Sequence, residues 1–421
     1  LNRRTFTALA VTSSLGAAPS DRIRIAVMGI RGQGGRVAQS MASFPDAEIV
    51  TLCDADERTY APVADRIAQR QGGKRPAYQQ DIRRVLDDKS IDAVINGTPD
   101  HWHAPGTILA CNAGKDVYSE KPASHNLREG RLMVEAARKN NRIVQIGTQS
   151  RSRPNTREAI ALARSGRIGT LRMAKAWDVQ LRDDIGRKSN SPIPQGVDFD
   201  LWTGPALDLP FNENRFHYKW HWNWNYGTGD MGNDGIHQLD QARWALGVNT
   251  PLRVSGMGKK VHFDDEQQTP DTMNITYEFE NNLAIIFEMR IWNSYGNNGI
   301  QNGMAIYGTE GMMEIGQRGK WGYWTYDRKG ALIPELTKID GSPDIEHHRN
   351  FLDCVKSRQL PNADVEIGHT STTLCHLGNI VARTGRNLSF DAAKESIVGD
   401  SDANKLLTRP YRKHWSVPKG V

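Results

Sequence analysis

The chain has 421 residues, 24% of them charged, and a formal net charge of +6. That length fits about two domains rather than one small core. No apolar run reaches the ~18 residues that cross a bilayer, and the positive charge is dispersed rather than blocked, so neither a membrane span nor nucleic acid as the main partner is indicated.

The first twenty residues stand apart. Asn2-Arg3-Arg4-Thr5-Phe6, followed by a weakly apolar stretch over residues 8–18, has the pattern of a twin-arginine export signal, and implies a periplasmic or exported protein. Without that signal the expectation is cytoplasmic. Twin-arginine export carries folded proteins, which suits a cofactor inserted beforehand. Residues 1–20 are set aside from the fold.

Residues 23–28 read as a buried parallel strand running into Gly29-Ile30-Arg31-Gly32-Gln33-Gly34-Gly35, then a helix over residues 36–43. A second apolar strand, residues 48–53, ends at Asp54, which lies 20 residues after Gly34. At that spacing a carboxylate can accept both hydroxyls of an adenosine ribose and disfavours a 2′-phosphate, so NAD is expected rather than NADP. Gly29 and Gly34 fill the first and third positions of G-x-G-x-x-G, but Arg31 stands at the second and Gly32 follows one residue late. Either the loop is shifted or the guanidinium lies along the phosphates. Gly29, Arg31, Gly32, Gln33, Gly34 and Asp54 are the candidate cofactor contacts of this opening.

Strands at residues 91–96, 116–118 and 142–146, with helices near 103–113 and 126–140, continue the alternation and predict a doubly wound parallel sheet. Thr98-Pro99-Asp100-His101-Trp102-His103 follows the third strand at the carboxyl edge, where such sheets bind ligands, so Thr98, Pro99 and His103 read as cofactor contacts. His101 and His103 lack an acidic or thiol neighbour, and no metal site is expected. Glu120-Lys121-Pro122 ends the fourth strand at the same edge. A lysine there, beside a nicotinamide, would be desolvated, its pKa lowered, and able to polarise or deprotonate a substrate hydroxyl. A solvated surface lysine is the alternative.

After a helix over residues 156–165 the texture changes. Strands follow one another at roughly 171–179, 252–261, 272–280, 283–290, 304–308, 312–315 and 321–326, with helices at 227–246, 344–357 and 366–384. Consecutive strands predict a large antiparallel sheet in an α+β domain. The expected division is a Rossmann domain at 21–150 and a substrate and oligomerisation domain at 151–421, its last helices and tail packing back on the first. Within residues 227–246, a helix would place Asp230, Asp234 and His237 at i, i+4 and i+7, on one face. An acid beside an imidazole orients it and raises its basicity, which suits a proton acceptor; a packed structural histidine is the alternative. The preceding Trp220-His221-Trp222-Asn223-Trp224-Asn225-Tyr226 run is either a sugar-stacking surface or an aromatic core. Trp222, Tyr226 and Asn233 are the candidate substrate contacts. Cys53, Cys111, Cys354 and Cys375 have no C-x-x-C spacing and read as reduced structural thiols.

Together the opening turn, Asp54, Thr98-Pro99 with His103, Glu120-Lys121-Pro122, Gln145-Ile146-Gly147-Thr148-Gln149, Trp202-Thr203-Gly204-Pro205 and Gly235-x-His237 resemble the Gfo/Idh/MocA family of oxidoreductases. The resemblance implies a Rossmann domain holding NAD(P), with Glu120, Lys121 and Gln149 near the cofactor. It also implies a C-terminal sheet used for homo-oligomer contacts, and hydride transfer at a sugar or cyclitol carbinol with Lys121 and His237 as the catalytic pair. Family dehydrogenases commonly have Asp four residues before the histidine. Here that residue is Asn233, so Asp234 or Asp230 takes the orienting role, or proton transfer is weakened. The family also contains glycosidases that retain NAD and cleave by oxidation, elimination, water addition and reduction. They resemble this chain in the Arg31-Gly32-Gln33 turn and in often having export signals. That branch usually lacks the lysine found at Lys121, which favours an NAD-dependent dehydrogenase of a sugar or sugar derivative. A sugar-binding protein that keeps the cofactor without catalysis is a third reading, and Asn233 is its support.

Overall fold

The computed structural model describes residues 22–316, 320–326, 332–338 and 344–421. The export segment expected at residues 1–20 lies outside the described residues. No helix among those described is long and apolar enough to cross a membrane.

Six strands, β1 (Ile23–Met28), β2 (Ala47–Cys53), β3 (Ala77–Gln79), β4 (Ala93–Asn96), β5 (Asp116–Ser119) and β6 (Val144–Ile146), form a parallel sheet in the order β3-β2-β1-β4-β5-β6. Helices α1 (Gln33–Met41), α2 (Tyr60–Arg70), α3 (Ile82–Asp87), α4 (Asp100–Asn112) and α5 (Leu127–Lys139) are the crossovers. Parallel strands joined this way are covered on both faces, which is why β1, β4 and β5 are runs of buried residues rather than alternating ones. The chain winds one way from β1 to β3 and the other way from β4 to β6, so the loops after β1 and β4 diverge and open a crevice at the carboxyl edge.

Helix α1 begins at Gln33, earlier than expected, because Gly34 belongs to its packing: a Cβ there would lie 2.0 Å from the carbonyl oxygen of Gly29. Sequence reading passes over β3, α2 and α3. The first is a short edge strand with exposed ends, and α3 is brief, started by Asp81 accepting the Arg83 N–H.

Helix α6 (Pro154–Arg164) leads into the second sheet. Its strands are β7 (Leu171–Val179), β8 (Arg253–Lys259), β9 (Thr272–Glu278), β10 (Ala284–Arg290), β11 (Asn302–Gly308), β12 (Gly311–Gly316), β13 (Trp321–Tyr326), β14 (Leu332–Lys338), β15 (Leu388–Asp391) and β16 (Ser396–Ile397). The order is β14-β13-β12-β11-β7-β10-β9-β8-β15-β16. All neighbours are antiparallel except β7 and β10, which run parallel with Met173 opposite Ala284. The sheet is therefore mixed at its centre. A long excursion after β7, containing α7 (Phe199–Thr203), separates it from the β8-β9-β10 meander, which returns beside β7 in the same direction.

Helix α8 (Ile236–Leu246) and helix α10 (Val365–Thr384) bury one face of this sheet, with Ile236, Leu239, Leu374 and Leu377 against Ile275 and Phe287. Helix α9 (Ile345–Ser357) instead joins the core of the parallel sheet through Phe351 and Leu352. After α11 (Ser401–Lys405) the chain crosses back over the first sheet. There Arg409 pairs with buried Glu129 at 2.8 Å, and Trp415 packs on Trp102 with ring centroids 5.7 Å apart.

The helix expected over residues 227–246 is a correction. Gly229 is left-handed (φ 70°), and residues Met231–Gly235 make a π turn before α8 begins. A π turn inserts one residue relative to an α-helix; Asp230 and Asp234 still lie side by side on Arg182, and Asp234 and His237 line the cleft while Asp230 does not.

Candidate active site

A cleft of about 590 Å³ opens at the carboxyl edge of the parallel sheet and is closed on its far side by the π turn and α8. Its two halves are built differently.

In the half nearest β1 the backbone decides. Gly29 has φ 77°, and a Cβ on it would lie 2.6 Å from the Gly97 carbonyl. A Cβ on Gly97 would in turn lie 2.4 Å from the Gly34 Cα. The turn after β1, the start of α1 and the end of β4 thus touch through three glycines. Gly32 is the N-terminal cap of α1, has nothing within 4 Å of where a Cβ would stand, and leaves the amide end of the helix open to an anion. Gly29, Arg31, Gly32 and Gln33 line the cleft; Gly34 serves the packing behind it. An exposed Arg31 in the cleft wall fits a guanidinium running along phosphates.

Asp54 ends β2 facing this turn. Its carboxylate accepts the N–H of Ile30 at 2.8 Å and of Asp56 at 2.9 Å. Burial pushes its pKa up to about 6, against the pull of those two amides. Thr98 and Pro99 line the cleft from β4, and His103 braces them from α4. The His103 ring nitrogens face the carbonyl of Pro122 at 2.6 Å and that of Thr98 at 2.8 Å. Burial holds its pKa down to about 4, while the two carbonyls it faces, on the β4 and β5 loops, pull the other way. His101 likewise faces two backbone carbonyls, those of Trp202 and Tyr226.

Glu120 is buried, its pKa is raised by burial, and its Oε1 has no hydrogen-bond partner among the described residues. Gly147 makes room for that carboxylate, since a Cβ there would lie 2.8 Å from Glu120 Oε2. Gln149 lines the same wall and donates to the Tyr118 hydroxyl at 3.3 Å. A glycine cradle, an open helix N-terminus, an acid after β2 and an unpartnered polar group at the inner end suit a dinucleotide.

In the other half side chains decide. Lys121 Nζ donates to the Asn233 backbone oxygen at 2.5 Å and approaches its side-chain oxygen at 3.4 Å. Asn233 Nδ2 donates to Asp230 Oδ1 at 2.7 Å. Beyond β7, Arg182 grips both oxygens of fully buried Asp230 and reaches Asp234 Oδ2 at 2.6 Å. Gln180 ties Asp234 to buried Asp178. Burial opposes ionisation of Asp234, but Lys121, Arg182 and His237 hold its pKa below the ordinary carboxylate value. His237 lines the cleft with its pKa lowered to about 4, by burial first and Lys121 second, with Asp234 pulling the other way. The gain in imidazole basicity expected from the neighbouring acid is outweighed by desolvation.

Family models match both parts of the chain: an oxidoreductase NAD-binding Rossmann fold over residues 23–148, and the C-terminal alpha/beta domain of the same oxidoreductases over residues 176–417. The chain belongs to the Gfo/Idh/MocA oxidoreductase family. Among its relatives is scyllo-inositol 2-dehydrogenase (NAD(+)) of Bacillus subtilis (strain 168), 26% identical over 347 residues that cover 81% of this chain and 88% of that protein. The fold is shared with levoglucosan dehydrogenase solved with NADH and levoglucosan, at a TM-score of 0.66 and 18% identity over 87% of this chain and 99% of that one. It is shared equally with aldose-aldose oxidoreductase from Caulobacter crescentus, solved with glycerol, at a TM-score of 0.66 and 18% identity over 88% of this chain and 100% of that one. As a Gfo/Idh/MocA member the protein is an NAD-binding oxidoreductase.

Two of the expected substrate contacts of this Gfo/Idh/MocA chain are placed elsewhere. Tyr226 is 0% exposed, packed with Phe199, Trp202, Phe211 and Phe216, and Trp222 is buried in the core of the second sheet. Neither lines the cleft; Tyr218, Trp220 and His221 do. The segment His217–Trp222 is a 3-10 turn, which sets Tyr218 over His221 and turns Trp222 inward. The aromatic run was legible as a run, but which rings face the cleft depends on that turn. Arg182 carries no motif and was not anticipated.

Proposed function

We propose that this protein is an NAD-dependent dehydrogenase of a secondary alcohol on a sugar, sugar derivative or cyclitol. The observation that carries this reading is the contact between Lys121 and Asn233, which brings the Glu120-Lys121-Pro122 loop of the parallel sheet against the element bearing Asp234 and His237. Gly29, Arg31, Gly32, Gln33, Asp54, Thr98, Pro99, Glu120 and Gln149 would hold the dinucleotide. When bound, it supplies the hydride acceptor.

The chain's own residues handle charge and the proton. Lys121 stabilises negative charge developing on the substrate oxygen. His237, neutral at physiological pH, accepts the hydroxyl proton. Asp234, kept ionised by Arg182 and Lys121, stabilises the imidazolium that forms, so Asn233 leaves the acidic role to its neighbour. The scyllo-inositol and levoglucosan dehydrogenase relatives support a polyhydroxylated ring as substrate. A homo-oligomer would form through the sheet face opposite α8 and α10, as the family resemblance suggests.

The test is NADH formation by purified protein with NAD and, in turn, scyllo-inositol, myo-inositol, levoglucosan and D-glucose. NADH absorbance with one of them supports the reading. Release of an aglycone from an aryl glycoside without net NADH would overturn it in favour of the glycosidase.

A further inference from the structure

Tyr218 is 47% exposed and lines the cleft, yet its polar end is fixed. Arg182 NH1 donates to the phenol oxygen at 2.7 Å. That guanidinium cannot swing. Its Nε and NH2 hold the two oxygens of Asp230 at 2.8 and 2.9 Å, and NH2 also holds Asp234 Oδ2 at 2.6 Å. The Tyr218 ring is braced by His221 and Trp222, with centroids 4.8 and 5.5 Å away. A tyrosine kept for packing buries its ring. Here the ring surface stays open to the cleft while the hydroxyl is anchored by a charged donor.

The chemistry of that anchor is directional. The phenol oxygen accepts from Arg182, with the Asn233 amide also beside it as a donor, so its own proton remains to be given. Burial raises the phenol pKa, which keeps that proton in place through the physiological range. A donor already polarised by a guanidinium makes a stronger hydrogen bond than a free phenol, and its fixed position lowers the ordering cost of using it.

Resting on the dehydrogenase reading above, we propose that Tyr218 donates a hydrogen bond to an oxygen of the polyol substrate, a ring hydroxyl or ether, and that Arg182 is its positioning residue. One guanidinium then sets both the phenol that reads the substrate and the carboxylate of Asp234 that attends His237. Substrate placement and the proton-accepting end of the site are registered to one another through Arg182.

The holoenzyme with myo-inositol and levoglucosan tests this, by steady-state kinetics and by saturation-transfer NMR for binding. Tyr218→Phe keeps the ring contacts and removes only the hydroxyl. The loss is expected in KM rather than kcat, about five- to tenfold. An analogue lacking the oxygen that Tyr218 reads should show the same KM with both proteins. Arg182→Lys keeps a charge beside Asp230 but cannot fork to Tyr218 and Asp234 together. It should raise KM in the same direction, and adding Tyr218→Phe to it should do little more. A purely structural role would lower the melting temperature and leave KM alone. Turnover with an unchanged KM in Tyr218→Phe overturns the proposal and leaves the dehydrogenase reading standing. Binding without turnover, weakened by Tyr218→Phe, does the reverse. Binding of neither polyol overturns both.

Discussion

Asp54 accepts the backbone N–H of Ile30, 2.8 Å away, so the acid that follows β2 also fixes the glycine turn that follows the neighbouring β1. A change at Asp54 therefore loosens the turn as well as altering the cleft wall.

The first prediction concerns that acid. In the proposed binding mode ionised Asp54 would accept ribose hydroxyls and repel a 2′-phosphate, so the dissociation constant for NAD should lie well below that for NADP. With a pKa raised to about 6, its charge is present above that pH and lost as pH falls through it. NAD affinity should weaken over the same interval, as read by fluorescence titration at a series of pH values. A preference for NADP, or an NAD affinity flat from pH about 7 to about 5, would sink the assignment.

The second concerns the Lys121 and His237 pair. General acid–base groups contribute about 10²–10⁴-fold, so Lys121→Met and His237→Ala should each lose that much in kcat while cofactor binding holds. Because both act on one hydroxyl, the double variant should lose much less than the product of the two. Unchanged turnover in Lys121→Met would remove the lysine from the mechanism.

The third follows from burial of the imidazole. A His237 pKa near 4 means the base is free above that value, so the acid limb of kcat/KM should fall well below the usual histidine range. Asp234 raises that pKa, and Asp234→Asn should lower it further, moving the limb to still lower pH while reducing the rate. A limb centred near pH about 6.5 would show a solvated histidine instead.

The fourth separates core from cleft within the aromatic run. Trp222→Ala should cost about 3–5 kcal/mol of stability, as large-to-small changes in a packed core do. Tyr226→Phe removes a buried hydroxyl with no hydrogen-bond partner among the described residues and should change both stability and KM little. Trp220→Ala, at the cleft wall, should raise KM and spare the melting temperature. The reverse pattern would return Trp222 to the substrate side.

Much of this was written in short patterns. Continuous apolar strands ending in Gly29, Asp54, Thr98 and Glu120 place a binding edge without coordinates, because parallel sheets present ligands at their carboxyl ends. What escaped depends on geometry that spacing does not encode. The π turn at Met231–Gly235 sits where a plain helix was expected, with Asp234 and His237 on the cleft and Asp230 off it, and the 3-10 turn at His217–Trp222 chooses which rings look outward. Arg182 escaped because its partners lie about fifty residues away in the chain, at Asp230 and Asp234. The parallel pairing of β7 with β10 escaped for a similar reason, since strand direction is set by the path of a long intervening excursion.

The return of the chain over α4 and α5 has a consequence for synthesis. Trp102 forms part of the cleft wall, and the ring that backs it, Trp415, is made some three hundred residues later. Until residue 415 is made, this side of the cleft lacks its backing ring. The buried charge of Glu129 also waits for Arg409. The cleft wall at Trp102 and the ion pair at Glu129 are thus both finished by residues 409–415, far along the chain from the sheet they complete.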